Sequence, residues 1–332
     1  MAAHAPFPLR PVESRDLPEL ADLVNRVDRS DGVKKRVQPD ELGEELESSL
    51  TTMSRDTRVA VAPDGAIRGF AWTVLLPGEG VDDRCYVIGG TDPDHRGLGI
   101  GRVLAEWCAA HARSLLDERP GPHGQVIRAF HHVDNASGSA LAASLGFAPV
   151  RWFEDMVRPL DQVPARTSVA GATIQPWPTD DALDDAIRLA KNAAFADHWG
   201  SSPTTVEGWA ELVQGFGGRP DLSLVARDET NGDVVALLLT KRFPADDDAT
   251  GRVQACIDKI ATVRAWRGRG LASALIAEAL HRYAAEGMTH ATIDVDADSP
   301  TGASRLYRAL GFETEHRFVT SEIVHRAASV AT

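Results

Sequence analysis

The chain has 332 residues, 43% hydrophobic and 25% charged, with a formal charge of -13 from 35 basic and 48 acidic side chains. That length exceeds the usual single domain, so two cores are expected, and the negative balance argues against a nucleic-acid or anionic-membrane partner while suiting a cationic small molecule such as an amine. Three cysteines without a CxxC pair, and no histidine cluster at ligand spacing, argue against a disulfide scaffold or a metal site, and the lack of a signal-like start or a membrane-length apolar run predicts a cytoplasmic protein.

Leu9-Arg-Pro-Val12 reads as a first strand, and Ser14 precedes a helix to about Val27 whose Leu17, Leu20, Val24 and Val27 recur at spacings of three and four. A second helix is predicted from Pro39 to Leu50. The period then changes to two: Arg58 to Ala62, the Asp64-Gly65 turn and Ile67 to Leu75 predict a β-hairpin. A strand from Cys85 to Thr91 runs into Arg96-Gly97-Leu98-Gly99-Ile100-Gly101, followed by a helix to about Leu116, a strand Val126 to His132, and a helix from Asn135 ending at Leu145-Gly146-Phe147.

After a Pro-, Ser-, Thr- and Gly-rich stretch from Pro159 to Ala172 the pattern restarts. Ile174-Gln-Pro-Trp177 repeats the first strand, Thr179 to Phe195 and Pro203 to Phe216 the first two helices, and Leu222 to Arg227 with Val234 to Leu239 the hairpin around Asn231-Gly232. Val253 to Val263 repeats the central strand and leads to Arg267-Gly268-Arg269-Gly270-Leu271-Ala272. The offset is 171 between Arg96 and Arg267 and between Cys85 and Cys256, and 165 between Gly146-Phe147 and Gly311-Phe312. A shared order with a small length change is the mark of a duplicated domain, here expected over residues 1–160 and 161–332.

Both Gly/Arg turns sit between a strand and a helix, where glycines permit close approach and several backbone N–H groups converge on one anion. A phosphate-bearing ligand is the expectation. A Walker turn would need Gly-Lys-Ser/Thr, and a dinucleotide fold would place its glycines after the first strand, whereas both turns come late. Asp258, two residues before Ile260, is expected on the same face of the central strand, and Asp294 and Asp296 share a face of the next. The acidic run Asp246-Asp247-Asp248 reads as a solvated turn.

Each half resembles a GCN5-related N-acetyltransferase, a family whose coenzyme turn has the pattern Arg/Gln-x-x-Gly-x-Gly/Ala, and the tandem arrangement with Leu306-Tyr307-Arg308-Ala309-Leu310-Gly311-Phe312 is similar to mycothiol synthase and its relatives. The resemblance implies a mixed α/β fold in two tandem copies, each a mostly antiparallel sheet flanked by helices with a splayed central strand pair. It implies acetyl-CoA as cosubstrate, held by both turns and by Ile260, Ala261, Thr262 and Val263, and an acetyl transfer to a primary amine of a small molecule without a metal. Tyr307 would be the acid that protonates the leaving thiolate; Asp258 and Asp296 are candidates for the base; His198 and Trp199 would belong to the acceptor pocket. The first copy has Ala142 where the second has Tyr307, so chemistry is expected in the second half, with the first degenerate. A mycothiol-synthase-type reaction, or a non-catalytic acetyl-CoA-binding protein, is the alternative.

Overall fold

The computed structural model describes residues 7–78, 82–178, 180–298 and 302–328. The chain forms two compact units, one of residues up to Trp152 together with those from Arg317, the other Phe153–His316.

In the first unit the strands Leu9–Arg10, Thr57–Val61, Ile67–Leu76 and Asp83–Thr91 follow one another antiparallel, as alternating apolar residues around the Gly65 turn (φ 86°) require. Gln125–His132 then joins Asp83–Thr91 in parallel after the helix Ile100–Asp117. The helices Leu17–Ser30 and Pro39–Leu46 bury Leu20, Leu23, Leu42 and Leu46 against Phe70 and Trp72, while Ile100, Leu104 and Cys108 cover Ala60 and Ala71 on the opposite face. The second predicted helix stops at Leu46, not Leu50, because Glu47–Ser48 pairs with Thr51–Thr52 in a small ladder.

The second unit repeats this order. Ala172–Pro176, Leu224–Asp228, Val234–Lys241 and Gln254–Thr262 are antiparallel neighbours, and His290–Asp296 joins the last in parallel. Helices Asp181–Phe195 and Val206–Gln214 pack Ile187, Ala194, Trp209 and Val213 onto Val225, Leu237 and Leu239. Across the sheet, Leu271–Ala285 packs Leu271, Leu275 and Leu280 onto Leu224, Ala226, Leu238 and Ile257.

The two copies in the sequence divide near residue 160, but strand pairing follows another line. Of the strand Ala148–Pro159, residues 153–159 pair with His290–Asp296, and of Glu313–Arg326, residues 318–326 pair with Gln125–His132. Each unit is thus closed by a strand that stands at the end of the other copy. The acidic run also differs from expectation: it lies on the helix Pro244–Thr250, where Arg242 binds Asp247 at 2.5 Å and Asp246 is buried. Among the described residues no helix is long and apolar enough to cross a membrane, and no group of three or more His, Cys, Asp or Glu is arranged to hold a metal ion.

In the core of the second unit the Tyr283 hydroxyl meets Thr240 Oγ1 at 2.6 Å, and Thr240 also donates to the Leu222 carbonyl. Tyr283→Phe should therefore lower stability by about 1 kcal/mol without changing the fold, read as a lower denaturation midpoint with an unchanged circular-dichroism spectrum.

Candidate active site

The strand Gln254–Thr262 keeps its antiparallel partner to the end but meets His290–Asp296 only over Gln254–Ile257. Beyond Ile257 the two strands part. His290–Asp296 stays with residues 153–159 as far as the Asp296 and Phe153 pair, and a cleft of about 900 Å³ opens in the fork. Its lining includes both strand ends, the Gly/Arg turn, Phe195, His198, Trp199 and Tyr307.

A β-bulge lies at the fork. Leu239 faces Lys259 and Thr240 faces Ile257, which leaves Asp258 as the extra residue. Its effect on the faces is visible in the packing: Ile257 and Ile260, three apart, both pack toward Leu271–Ala285, whereas Ala261 packs toward Asp181–Phe195. An unbroken strand would put Ile257 and Ile260 on opposite faces. The expectation that Asp258 and Ile260 share a face therefore fails, because the two-residue period is interrupted at Asp258 itself; its carboxylate lies 3.3 Å from the Lys259 ammonium instead.

The same geometry orients the backbone. Val263 N–H donates to the Val235 carbonyl at 2.9 Å, so by antiparallel alternation Ala261 also faces that partner while Ile260 and Thr262 aim their N–H groups into the fork. Thr262 Oγ1 is buried there and, among the described residues, has no hydrogen-bond partner.

The turn that closes the fork has the same backbone in both units. Short 3₁₀ turns, Pro93–His95 and Arg264–Trp266, precede Arg96 (φ -65°, ψ 155°) and Arg267 (φ -65°, ψ 152°). Gly97 and Gly99 then have φ 79° and 89°, and Gly268 and Gly270 76° and 89°, a region open to glycine and costly to other residues. Elsewhere in this chain Asn135, Asp180 and Thr205 cap their helices with side chains, but Gly99 and Gly270 cannot. Among the described residues no acceptor meets the N–H groups of Gly268, Arg269, Gly270, Leu271, Ala272 or Ser273, and Ala274 is the first to be satisfied within the helix, by the Gly270 carbonyl. This is an uncapped helix N-terminus preceded by three further donors, a cradle for a phosphate.

The arginines of the turn have other duties. Arg267 donates to Asp197 Oδ2 at 3.0 Å and to the Ala194 carbonyl at 2.6 Å, pinning the turn to the end of Asp181–Phe195; Arg96 reaches Asp31 at 2.9 Å in the first unit, the same device. Arg269 stacks on the Trp266 ring at 4.4 Å. Neither Arg269 nor Val263 lines the cleft, while Ile260, Ala261, Thr262, Arg267, Gly268, Gly270, Leu271 and Ala272 do.

Tyr307 projects from the helix Ala303–Ala309 with its ring edge-on to Phe312, and burial pushes its phenol up to about 12. Among the described residues nothing hydrogen-bonds its hydroxyl, and the residue lines the cleft. Phe312 N–H returns to the Tyr307 carbonyl at 3.0 Å as Phe147 N–H returns to that of Ala142 at 3.0 Å, so Ala142 holds the matching place. Asp258, Asp294 and Asp296 all line the cleft; Asp296 is buried and accepts from Asp298 N–H at 3.1 Å. His198 packs on Phe195, and Trp199 lies near Phe153.

Sequence reasoning passed over Lys191. It lies four residues after Ile187, on the apolar stripe of Asp181–Phe195, and lines the cleft at 6% exposure. Burial, and then the Lys259 charge, lower its ammonium pKa to about 8. A lysine at a core position of an amphipathic helix was the available signal.

Comparison with known proteins agrees with this geometry. A family described as Acetyltransferase (GNAT) family matches residues 185–312. A mycothiol acetyltransferase of Frankia alni is 30% identical over 325 residues, covering 93% of this chain and 92% of its own, and one from Tsukamurella paurometabola is 30% identical over 283 residues, covering 80% and 88%. Among solved structures, a GCN5-related N-acetyltransferase from Sphaerobacter thermophilus has a TM-score of 0.76 at 26% identity, covering 99% of this chain and 100% of that one; a tandem GNAT protein from the clavulanic acid biosynthesis pathway has 0.70 at 18%, covering 96% and 98%.

A Cβ at Gly270 would meet nothing within 4 Å, so the cost of Gly270→Ala is one of backbone strain alone. We expect a loss of about 1–2 kcal/mol, measured as a lowered thermal midpoint.

Proposed function

The chain belongs to the acetyltransferase (GNAT) family and is an acyltransferase, and on that premise we propose that it moves an acetyl group from acetyl-CoA to a primary amine of a small molecule in the cleft of the second unit. The observation that carries this reading is the meeting of three features in one cleft: the uncapped turn, the fork with its inward backbone N–H groups, and the Tyr307 phenol.

The donors from Gly268 to Ser273 fit the pyrophosphate of the coenzyme, with the helix dipole adding about 0.3–1 kcal/mol. When bound, acetyl-CoA supplies the thioester carbonyl and a thiolate leaving group. The Ile260 and Thr262 N–H groups face the region where an oxyanion would develop, fixed in place by strand pairing and needing no reorganisation. Tyr307 serves as the acid: its raised pKa keeps it protonated through the neutral range, and its hydroxyl has no competing partner among the described residues. A carboxylate, Asp258 or Asp296, removes the proton from the acceptor ammonium directly or through water, with His198 and Trp199 on the wall of the acceptor pocket. No metal takes part in this scheme.

The first unit has the same turn, the same arginine tie and Ala142 where the second has its phenol, which supports coenzyme binding without chemistry there. The curated relatives are named for mycothiol, and a mycothiol-synthase-type reaction is the second reading of the acceptor.

Thiol release from acetyl-CoA across a panel of amines tests the activity. Tyr307→Phe should lower kcat by about 10²–10⁴-fold with acetyl-CoA affinity unchanged, and an unaltered kcat removes Tyr307 from the chemistry. Calorimetry should count two coenzyme equivalents per chain; a single equivalent, lost in Gly270→Ala but retained in Gly99→Ala, would make the first turn structural.

A further inference from the structure

Three basic side chains line the cleft with their charge close to it, and two of them are already neutralised: Arg267 by Asp197 at 3.0 Å, Lys259 by Asp258 at 3.3 Å. Lys191 is the exception. Although 6% exposed, it pairs with no carboxylate among the described residues. Its ammonium donates to Thr204 Oγ1 and, at 3.4 Å, to Asn192 Oδ1, and it stands 5.5 Å from the centre of the Phe195 ring. An ammonium has three N–H donors, so these partners leave one over.

The surrounding charge gives no compensation. Burial lowers the Lys191 pKa to about 8, and the neighbouring charge that adds to this, Lys259, is of the same sign. A buried, uncompensated ammonium is costly, and a leucine or methionine would fill the same stripe of Asp181–Phe195 beside Ile187 and Ala194 at no such cost. The tie to Thr204 does position the segment that carries His198 and Trp199, but Asn192 already does so, accepting from Thr204 N–H at 2.8 Å and donating to its carbonyl at 3.1 Å. A neutral residue would serve that structural purpose.

We infer that Lys191 is an anion subsite of the acceptor pocket, and that the acceptor is an amine that also carries a carboxylate, which docks on the Lys191 ammonium while the amine reaches the fork. One ammonium with a single spare donor, backed by an aromatic ring, suits a carboxylate better than a phosphate, which would ask for more donors. This identification of the acceptor rests on the acetyl-transfer reading; the anion subsite itself does not.

The test has two arms. In the first, wild-type protein is labelled with trace acetic anhydride across pH and Lys191 is followed by peptide mass, alone, with 3-phenylpropionate, and with 3-phenylpropanamide. The carboxylate should raise the Lys191 pKa and slow its labelling severalfold, and the amide should not; equal responses to the two overturn the subsite, whatever amine is the acceptor. In the second, thiol release is measured with phenylalanine and phenylalaninamide. The wild type should favour the carboxylate by about tenfold or more in kcat/KM, Lys191→Met should abolish that preference while still turning over the amide, and Lys191→Arg should keep part of it. An unchanged ratio in Lys191→Met overturns the proposal. A response in the first arm without thiol release from any amine would support the subsite and refute acetyl transfer; thiol release with an unresponsive Lys191 would do the reverse.

Discussion

The structure depends on one departure from regular pairing: the parting of Gln254–Thr262 from His290–Asp296 after Ile257. A parallel pair that continued would satisfy its backbone groups and leave no cavity. Where it stops, each strand keeps only its outer partner, and a row of N–H and C=O groups faces inward without the bonds a sheet interior normally demands. In the proposed reaction that edge supplies the oxyanion contacts, because a rigid strand holds its donors in place before any substrate arrives. The bulge at Asp258 adjusts the fork further, turning a carboxylate and a lysine to one side while restoring the apolar face at Ile260.

Around the fork, the turn is fixed at a distance by Arg267, whose side chain spans to Asp197 and Ala194. An arginine in a glycine-rich, anion-facing turn invites the idea that it meets the anion. Here the guanidinium is consumed in holding the turn, and the donors left for a ligand are backbone N–H groups. The first unit uses Arg96 and Asp31 in the same way, so duplication kept the scaffold of the turn as well as its glycines. What differs between the copies is chemical. The first unit pairs Ile67–Leu76 with Asp83–Thr91 without a register shift between Gly69 and Leu76, and has Ala142 in place of the phenol.

Much of the fold was legible because it is local. Period-two runs such as Ile67 to Leu75 and the three-and-four spacing of Leu17, Leu20, Val24 and Val27 specify a strand and a helix whatever surrounds them. The glycines of both turns admit left-handed backbone, and Gly97, Gly99, Gly268 and Gly270 adopt it. Misreadings arose where a pairing partner, near or far, decided. The helix from Pro39 ended early because Glu47–Ser48 found Thr51–Thr52, and the acidic run at Asp246 became helical beside Arg242. Asp258 was placed on the wrong face because a bulge is a property of two strands compared, and neither strand alone announces it.

The sequence by itself determined the duplication, the strand–turn–helix grammar of each copy and the loss of the tyrosine from the first. These depend on the order of residues and on conformations that each residue adopts within a few neighbours. Only the tertiary structure decided which strand closes each unit, where Asp258 points, that Arg267 is spent on Asp197, and that Lys191 is buried in the cleft without a counter-charge among the described residues. Each of these depends on a partner far along the chain, as the 70 residues between Arg267 and Asp197 illustrate. Burial and charge pairing are set when such partners meet, and no local pattern records them.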